Sequence, residues 1–176
     1  NMGCGWRNFG KDWVHIDGGD YEHLDYHDII DLSQFEDNTV DLIYASHVIE
    51  YFDRVEIGKV LKEWNRILKP SGILRLAVPN FEVISKLYVE GKYPLERFIG
   101  PLYGRMVMDK SYIYHKTVYD FVSLERILAE NNFRDVKLFN WRLTEHADMD
   151  DHSQAYLPNM DKENGTLISL NVECIK

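Results

Sequence analysis

The chain has 176 residues, 45% of them hydrophobic and 28% charged, which excludes a disordered polar chain and is enough for one domain with a single core. Lys and Arg number 20 against 29 Asp and Glu, a net charge of -9, so phosphate backbones and anionic membranes are repelled and a small or neutral partner is favoured. Two cysteines at opposite ends, Cys4 and Cys174, exclude a disulfide framework and a four-cysteine metal site. No apolar run approaches the ~20 residues of a membrane span, and no export signal is recognisable. The expectation is a cytoplasmic protein with neither nucleic acid nor membrane as partner.

In chain order, Asn1-Met2-Gly3-Cys4-Gly5 comes first, followed by a short apolar run, Trp13 to Ile16, that reads as a strand ending in Asp17 and the turn Gly18-Gly19. Asp41 to Ala45 and Ile73 to Val78 read as buried parallel strands, the second stopped by Pro79. Between them, Ile57, Val60, Leu61, Trp64, Ile67 and Leu68 form one stripe of an amphipathic helix, ended by Lys69-Pro70-Ser71-Gly72. Phe121, Leu124, Ile127 and Leu128 mark another helix with Asp120 or Ser123 as N-cap. Val136 to Trp141 and Leu167 to Ile175 read as strands, and the absence of a helical crossover between them predicts an antiparallel pair. The expected fold is α/β: a doubly wound, mostly parallel, Rossmann-like sheet with an antiparallel last strand, built as a single domain over residues 1–176.

Glycines at a strand end let backbone amides approach a ligand, and an acid closing the next strand can bridge vicinal ribose hydroxyls. Gly3, Gly5 and Asp17 are so placed, although a tight turn with a strand-end acid reads equally well from these residues alone. More segments follow in order: Asp28-Ile29, then Phe35 to Glu50 (FEDNTVDLIYASHVIE), then Leu68-Lys69-Pro70-Ser71-Gly72-Ile73-Leu74, and Ser169 to Lys176 at the end. Together they resemble the class I S-adenosylmethionine-dependent methyltransferases, and within them the small bacterial branch of the type 11 group. The resemblance implies methyl transfer from S-adenosylmethionine. It assigns Gly3, Cys4 and Gly5 to the methionine moiety, Asp17 to the ribose and Asp28 with the Ile29 amide to adenine, with Asp31 as the rival acid. Ala45, Ser46 and His47 would line the far side of the methionine.

Tyr51 stands where that family usually has a second His, Asn80 where it often has Asp, and Asn131-Asn132-Phe133 replaces its Ala-Gly-Phe. Only the tail of the family's first strand precedes Gly3, so that strand is expected to be truncated in this chain. Residues 81–119 are expected to form an insert covering the substrate. No catalytic triad is visible, as methyl transfer needs mainly positioning; His47 and His115, then Tyr119, are the candidate acceptor-side groups. The tyrosine-rich insert suits a small polar metabolite or a sugar.

His146, Asp148, Asp150, Asp151 and His152 match no metal-ligand spacing and read as a solvated loop face, so no metal is expected. Trp6 alone among the tryptophans is close enough to the glycines to suspect ligand contact. Cys4 reads as a small loop residue rather than a nucleophile. Two other functions remain open: a cofactor-binding partner or regulatory subunit without catalysis, and a dinucleotide oxidoreductase. The latter is disfavoured because Asn8 stands where G-x-G-x-x-G needs glycine. A homodimer is one expected assembly.

Overall fold

The computed structural model describes every residue but Asp109. In chain order it contains β1 (Val40–Ser46), α1 (Ile57–Ile67), β2 (Leu68–Pro79), α2 (Phe81–Val89), α3 (Glu96–Tyr103), β3 (Met106–Met108) and β4 (Ser111–Ile113). These are followed by α4 (Phe121–Glu130), β5 (Arg134–Leu138), β6 (Tyr156–Leu157), β7 (Thr166–Leu167) and β8 (Ser169–Ile175). No helix among the described residues is long and apolar enough to cross a membrane.

The main sheet has the order β1-β2-β8-β5. Strand β1 runs parallel to β2, while β8 is antiparallel to both β2 and β5. The expected antiparallel final pair is therefore present. Among the four strands, however, parallel pairing is in the minority. Parallel order continues beyond β1 only as single bridges, from Ala45 to Met2, Met2 to Ile16 and Ile16 to Tyr26. The predicted strand from Trp13 to Ile16 thus shrinks to one bridging residue. Its main chain is held by other bonds: the His15 carbonyl accepts from Asp25 and Tyr26, and the Asp17 amide donates to the Tyr26 carbonyl. The first strand is likewise represented by Met2 alone.

Alternation along the strands separates two faces. Ile43, Ala45, Leu74, Leu76, Val78, Leu170, Val172 and Cys174 join the buried stripe of α1 and Leu124 and Leu128 of α4 in one core. Each apolar side chain buried there contributes about 1.5–3 kcal/mol. The predicted stripe of α1 is intact, and the turn before it is closed by Asp53, whose Oδ1 accepts from the Val55 and Glu56 amides while Glu56 Oε2 accepts from the Asp53 amide. Both N-cap candidates of α4 contribute: Ser123 donates its amide to Asp120 Oδ1, and the Asp120 amide donates to Ser123 Oγ.

The opposite face is polar and is not wound by a helix. Tyr44 donates to Asp151 Oδ2 at 2.6 Å, the Arg75 guanidinium lies 3.0 Å from Glu145 and 3.3 Å from Glu173, and Asn171 donates to the Ser153 carbonyl at 2.8 Å. Residues 141–154, with short 3-10 turns at Trp141–Leu143 and His152–Gln154, therefore cover this side. Double winding by helices is corrected here; the solvated reading of the acid and histidine cluster holds for Asp148, Asp150 and His152, which are exposed, and is corrected for His146 and Asp151. His146 and Asp151 are buried because they satisfy polar groups of the sheet.

Residues 81–119 leave and return at one point, where Asn80 bridges Tyr119 and the Phe81 amide donates to the Tyr119 carbonyl at 3.0 Å. Their helices form a second small core in which Ile84, Leu87 and Phe98 meet Leu157 and Ile168.

Candidate active site

The sheet order reverses direction between Met2 and β1, and in open α/β sheets ligands bind at the carboxyl ends of the strands flanking such a point. Gly3 to Gly5 follow Met2, and His47 follows β1 directly. Gly3 and Gly5 have φ of 64° and 58°, the left-handed region that favours glycine. A Cβ on Gly3 would run into Val48 Cγ2, whereas Gly5 faces open space.

Asp17 is 6% exposed and sits at the centre of this turn. Its Oδ2 accepts from the Gly5 amide at 2.7 Å and its Oδ1 from the Gly19 amide at 2.8 Å. A carboxylate has about four acceptor positions, so two remain for a ribose diol. Asp28 is exposed, and its Oδ1 accepts from the Ile30 and Asp31 amides. Asp31 is held below its usual carboxylate range mainly by Ser33, with a smaller contribution from Arg66 on α1. Ile29 packs on the main core, and its carbonyl accepts from Trp64 Nε1 at 2.9 Å. The Ala45 side chain faces the same core, and its main chain lies within the sheet between Met2 and Leu76. Cys4 is buried, 3.7 Å from His23 Nε2, and burial pushes its thiol up to about 11, so it is no nucleophile. Trp6 projects into solvent, 68% exposed, with Arg7 over its ring.

The acceptor-side candidates converge on a residue to which the sequence reading assigned no role. Glu50 is fully buried, and its Oε1 lies 3.3 Å from His47 Nδ1 and 3.8 Å from His115 Nε2. Among the described residues, Ser46 Oγ, His47 Nε2, both Glu50 carboxylate oxygens, His115 Nδ1 and Tyr119 Oη are buried without a hydrogen-bond partner. Burial pushes the Glu50 carboxyl up to about 8 and drives the His47 imidazole well below its usual range. The insert delivers His115: its amide donates to the Tyr103 carbonyl, and a Cβ on Gly104 would collide with its ring. Tyr51 stands edge-on to His115, with ring centroids 4.7 Å apart, and His152 lies 5.1 Å from the His47 ring. Tyr112 and Tyr114 of the insert are exposed and stay outside the cluster. An acid three residues after a strand-end histidine was the available signal for Glu50.

The hairpin β3-β4 reaches the other half of the site, since a Cβ on Gly18 would lie 3.1 Å from Met108 Sδ. A cavity of about 500 Å³ beside Asn1, Val14, Val40 and Leu42 lies at the start of the strands, away from these groups. No group of three His, Cys, Asp or Glu among the described residues is placed to hold a metal ion.

Known proteins share part of this sequence and the overall fold. Residues 8–76 match the type 11 family model described as a methyltransferase domain. Among solved structures, an S-adenosylmethionine-dependent methyltransferase from Archaeoglobus fulgidus is 19% identical with a TM-score of 0.51, over 88% of this chain and 67% of that one. A possible histamine N-methyltransferase from Thermotoga maritima is 15% identical with a TM-score of 0.52, over 87% of this chain and 63% of that one. A possible exported protein from Bordetella parapertussis is 14% identical with a TM-score of 0.52, over 86% of this chain and 43% of that one. No curated protein matches the chain significantly. Over residues 8–76 the chain is similar to the methyltransferase domains of the type 11 family, and its fold is that of the S-adenosylmethionine-dependent methyltransferase from Archaeoglobus fulgidus.

Proposed function

We propose that this chain transfers the methyl group of S-adenosylmethionine to a small polar acceptor, a sugar or a metabolite of similar size. The observation that carries the reading is the set of unpartnered buried polar atoms on His47, Glu50, His115 and Tyr119, gathered about Glu50 just after β1. A polar acceptor supplies partners to such groups, whereas an apolar one leaves them unsatisfied.

On this reading Gly3, Cys4 and Gly5 wrap the methionine moiety through their main chain, and Ser46 lies along its far side. Asp17 takes the ribose hydroxyls with its two remaining acceptor positions. Asp28 and the Ile29 amide hold adenine. The bound donor supplies a sulfonium-activated methyl group, and the protein's task is to hold the acceptor in line with it and to exclude water. His47, His115 and Tyr119 orient the acceptor, and the insert over residues 81–119 covers it.

Calorimetric titration tests the reading directly. S-adenosylmethionine and its demethylated product should bind more tightly than a nicotinamide dinucleotide; equal or tighter binding of the dinucleotide overturns the assignment. Screening metabolites with methyl-labelled donor then identifies the acceptor.

A further inference from the structure

The geometry points to His47 and Glu50 as a proton-accepting pair, and hence to an acceptor that carries a proton on its reacting atom, a hydroxyl above all. The inference rests on the methyltransferase reading and adds to it a chemical class of substrate.

Among the described residues no Lys or Arg pairs with Glu50. The neighbouring Lys116 donates its Nζ to Glu56 at 2.8 Å, and only the main-chain carbonyl of Glu50 is used, accepting from the Lys116 and Thr117 amides. Its carboxylate meets two imidazoles, with His47 the nearer. The two ring nitrogens of His47 have different surroundings: Nδ1 is on the Glu50 side, and Nε2 is buried with no partner. The backbone is fixed where the ring needs it. The His47 amide donates to the Ala77 carbonyl at 2.8 Å, and the residue holds φ at 55°, a left-handed conformation that costs a non-glycine residue of order 1–3 kcal/mol. A polar cluster that served only to hold the fold together would have its hydrogen bonds made. This one leaves free the nitrogen that a hydroxyl can approach.

The step balances. The acceptor oxygen forms its bond to the methyl carbon while the carbon–sulfur pair stays on sulfur, and the O–H proton passes to His47 Nε2. Glu50 stabilises the resulting imidazolium as a positioning residue, and the proton leaves to solvent. The pair accepts a proton only when Glu50 is ionised, so competence is gained as pH rises through about 8. Around the pair stand His115, Tyr119, Tyr51 and His152, with Arg7 from the glycine turn acting on His47 at longer range.

Nitrogen-15 NMR of the imidazoles tests this in the intact chain without an acceptor. In the wild type, His47 should switch near pH 8 from a ring protonated at Nε2 to one protonated at Nδ1 with Nε2 free. Glu50→Gln should abolish the switch, with S-adenosylmethionine affinity unchanged within twofold by calorimetry. A His47 ring that keeps Nε2 protonated from pH 6 to 9 in the wild type overturns the pair, whatever the variant does. A switch that survives Glu50→Gln overturns the role of Glu50. Failure of the wild type to bind S-adenosylmethionine overturns the underlying methyltransferase reading instead.

Discussion

The two halves of the site treat their polar groups in opposite ways. Around Asp17 both carboxylate oxygens accept backbone amides from the glycine turns. Around Glu50 five polar atoms on four side chains, Glu50 itself, His47, His115 and Tyr119, are buried without partners among the described residues. A satisfied half is assembled before any ligand arrives, and its residues contribute to folding. An unsatisfied half costs stability that only a bound polar molecule returns. Under the proposed function, the glycine side has a generic, prebuilt task and the histidine side selects the acceptor.

The largest expected effect falls on the unsatisfied half. With an acceptor found by labelled screening, His47→Ala should lower turnover by about 100- to 10,000-fold, the usual range for a positioned acid or base, with donor affinity retained. Unchanged turnover would remove His47 from the chemistry and leave the contrast without a functional side. Next comes the pH dependence of stability. The folded value of Glu50 lies near 8 against an ordinary 4.5, so the folded state retains a proton that the unfolded chain has lost between those values. Its contribution is fully present below about 4.5, declines as pH rises and is gone above about 8. In urea unfolding, Glu50→Gln should therefore gain on the wild type by up to a few kcal/mol between pH 5 and pH 8. A constant difference over that interval would mean that the carboxyl is ionised throughout.

Much of the apolar architecture was legible because it depends on spacing. The α1 stripe and the reciprocal cap of α4 follow from residues three and four apart, and the antiparallel β5-β8 pair from a missing helical crossover. Even a departure from the family pattern was physically readable: Asn132, where the family has glycine, adopts φ of 65° after α4, and asparagine is a common second choice for that conformation. The polar sheet face was not legible. Arg75 and Glu173 lie within strands and pair with each other, and Arg75 also reaches Glu145 in residues 141–154, which no periodicity marks. Glu50 was missed for the same reason. Its neighbour His115 is brought in from across the insert by Gly104 and the Tyr103 carbonyl, a long-range contact that spacing along the chain does not encode.

On the satisfied side, Asp17→Ala should weaken S-adenosylmethionine binding by ~1–3 kcal/mol and also cost the unliganded fold ~1–3 kcal/mol, because the Gly5 and Gly19 amides lose their acceptor. Asp28→Ala should weaken binding less than Asp17→Ala but more than Asp31→Ala. Calorimetry and urea unfolding on the three variants check both rankings. A reversal of the last two would move the adenine contact to Asp31.

The smallest effect gives the sharpest contrast. The Tyr119 ring is buried in the main core while its hydroxyl has no partner, and burial together with Glu50 pushes that hydroxyl's ionisation far above its usual range. Tyr119→Phe keeps the ring contacts and deletes only the desolvated oxygen. An unpaired buried hydroxyl contributes no bond to lose, and removing it relieves a desolvation cost. The variant should therefore be as stable as the wild type or up to about 1 kcal/mol more stable, where Asp17→Ala is less stable, and its turnover should fall while donor binding holds. If Tyr119→Phe loses 1 kcal/mol or more in urea unfolding, the hydroxyl is satisfied in the free protein, and the acceptor half is prebuilt like the cofactor half.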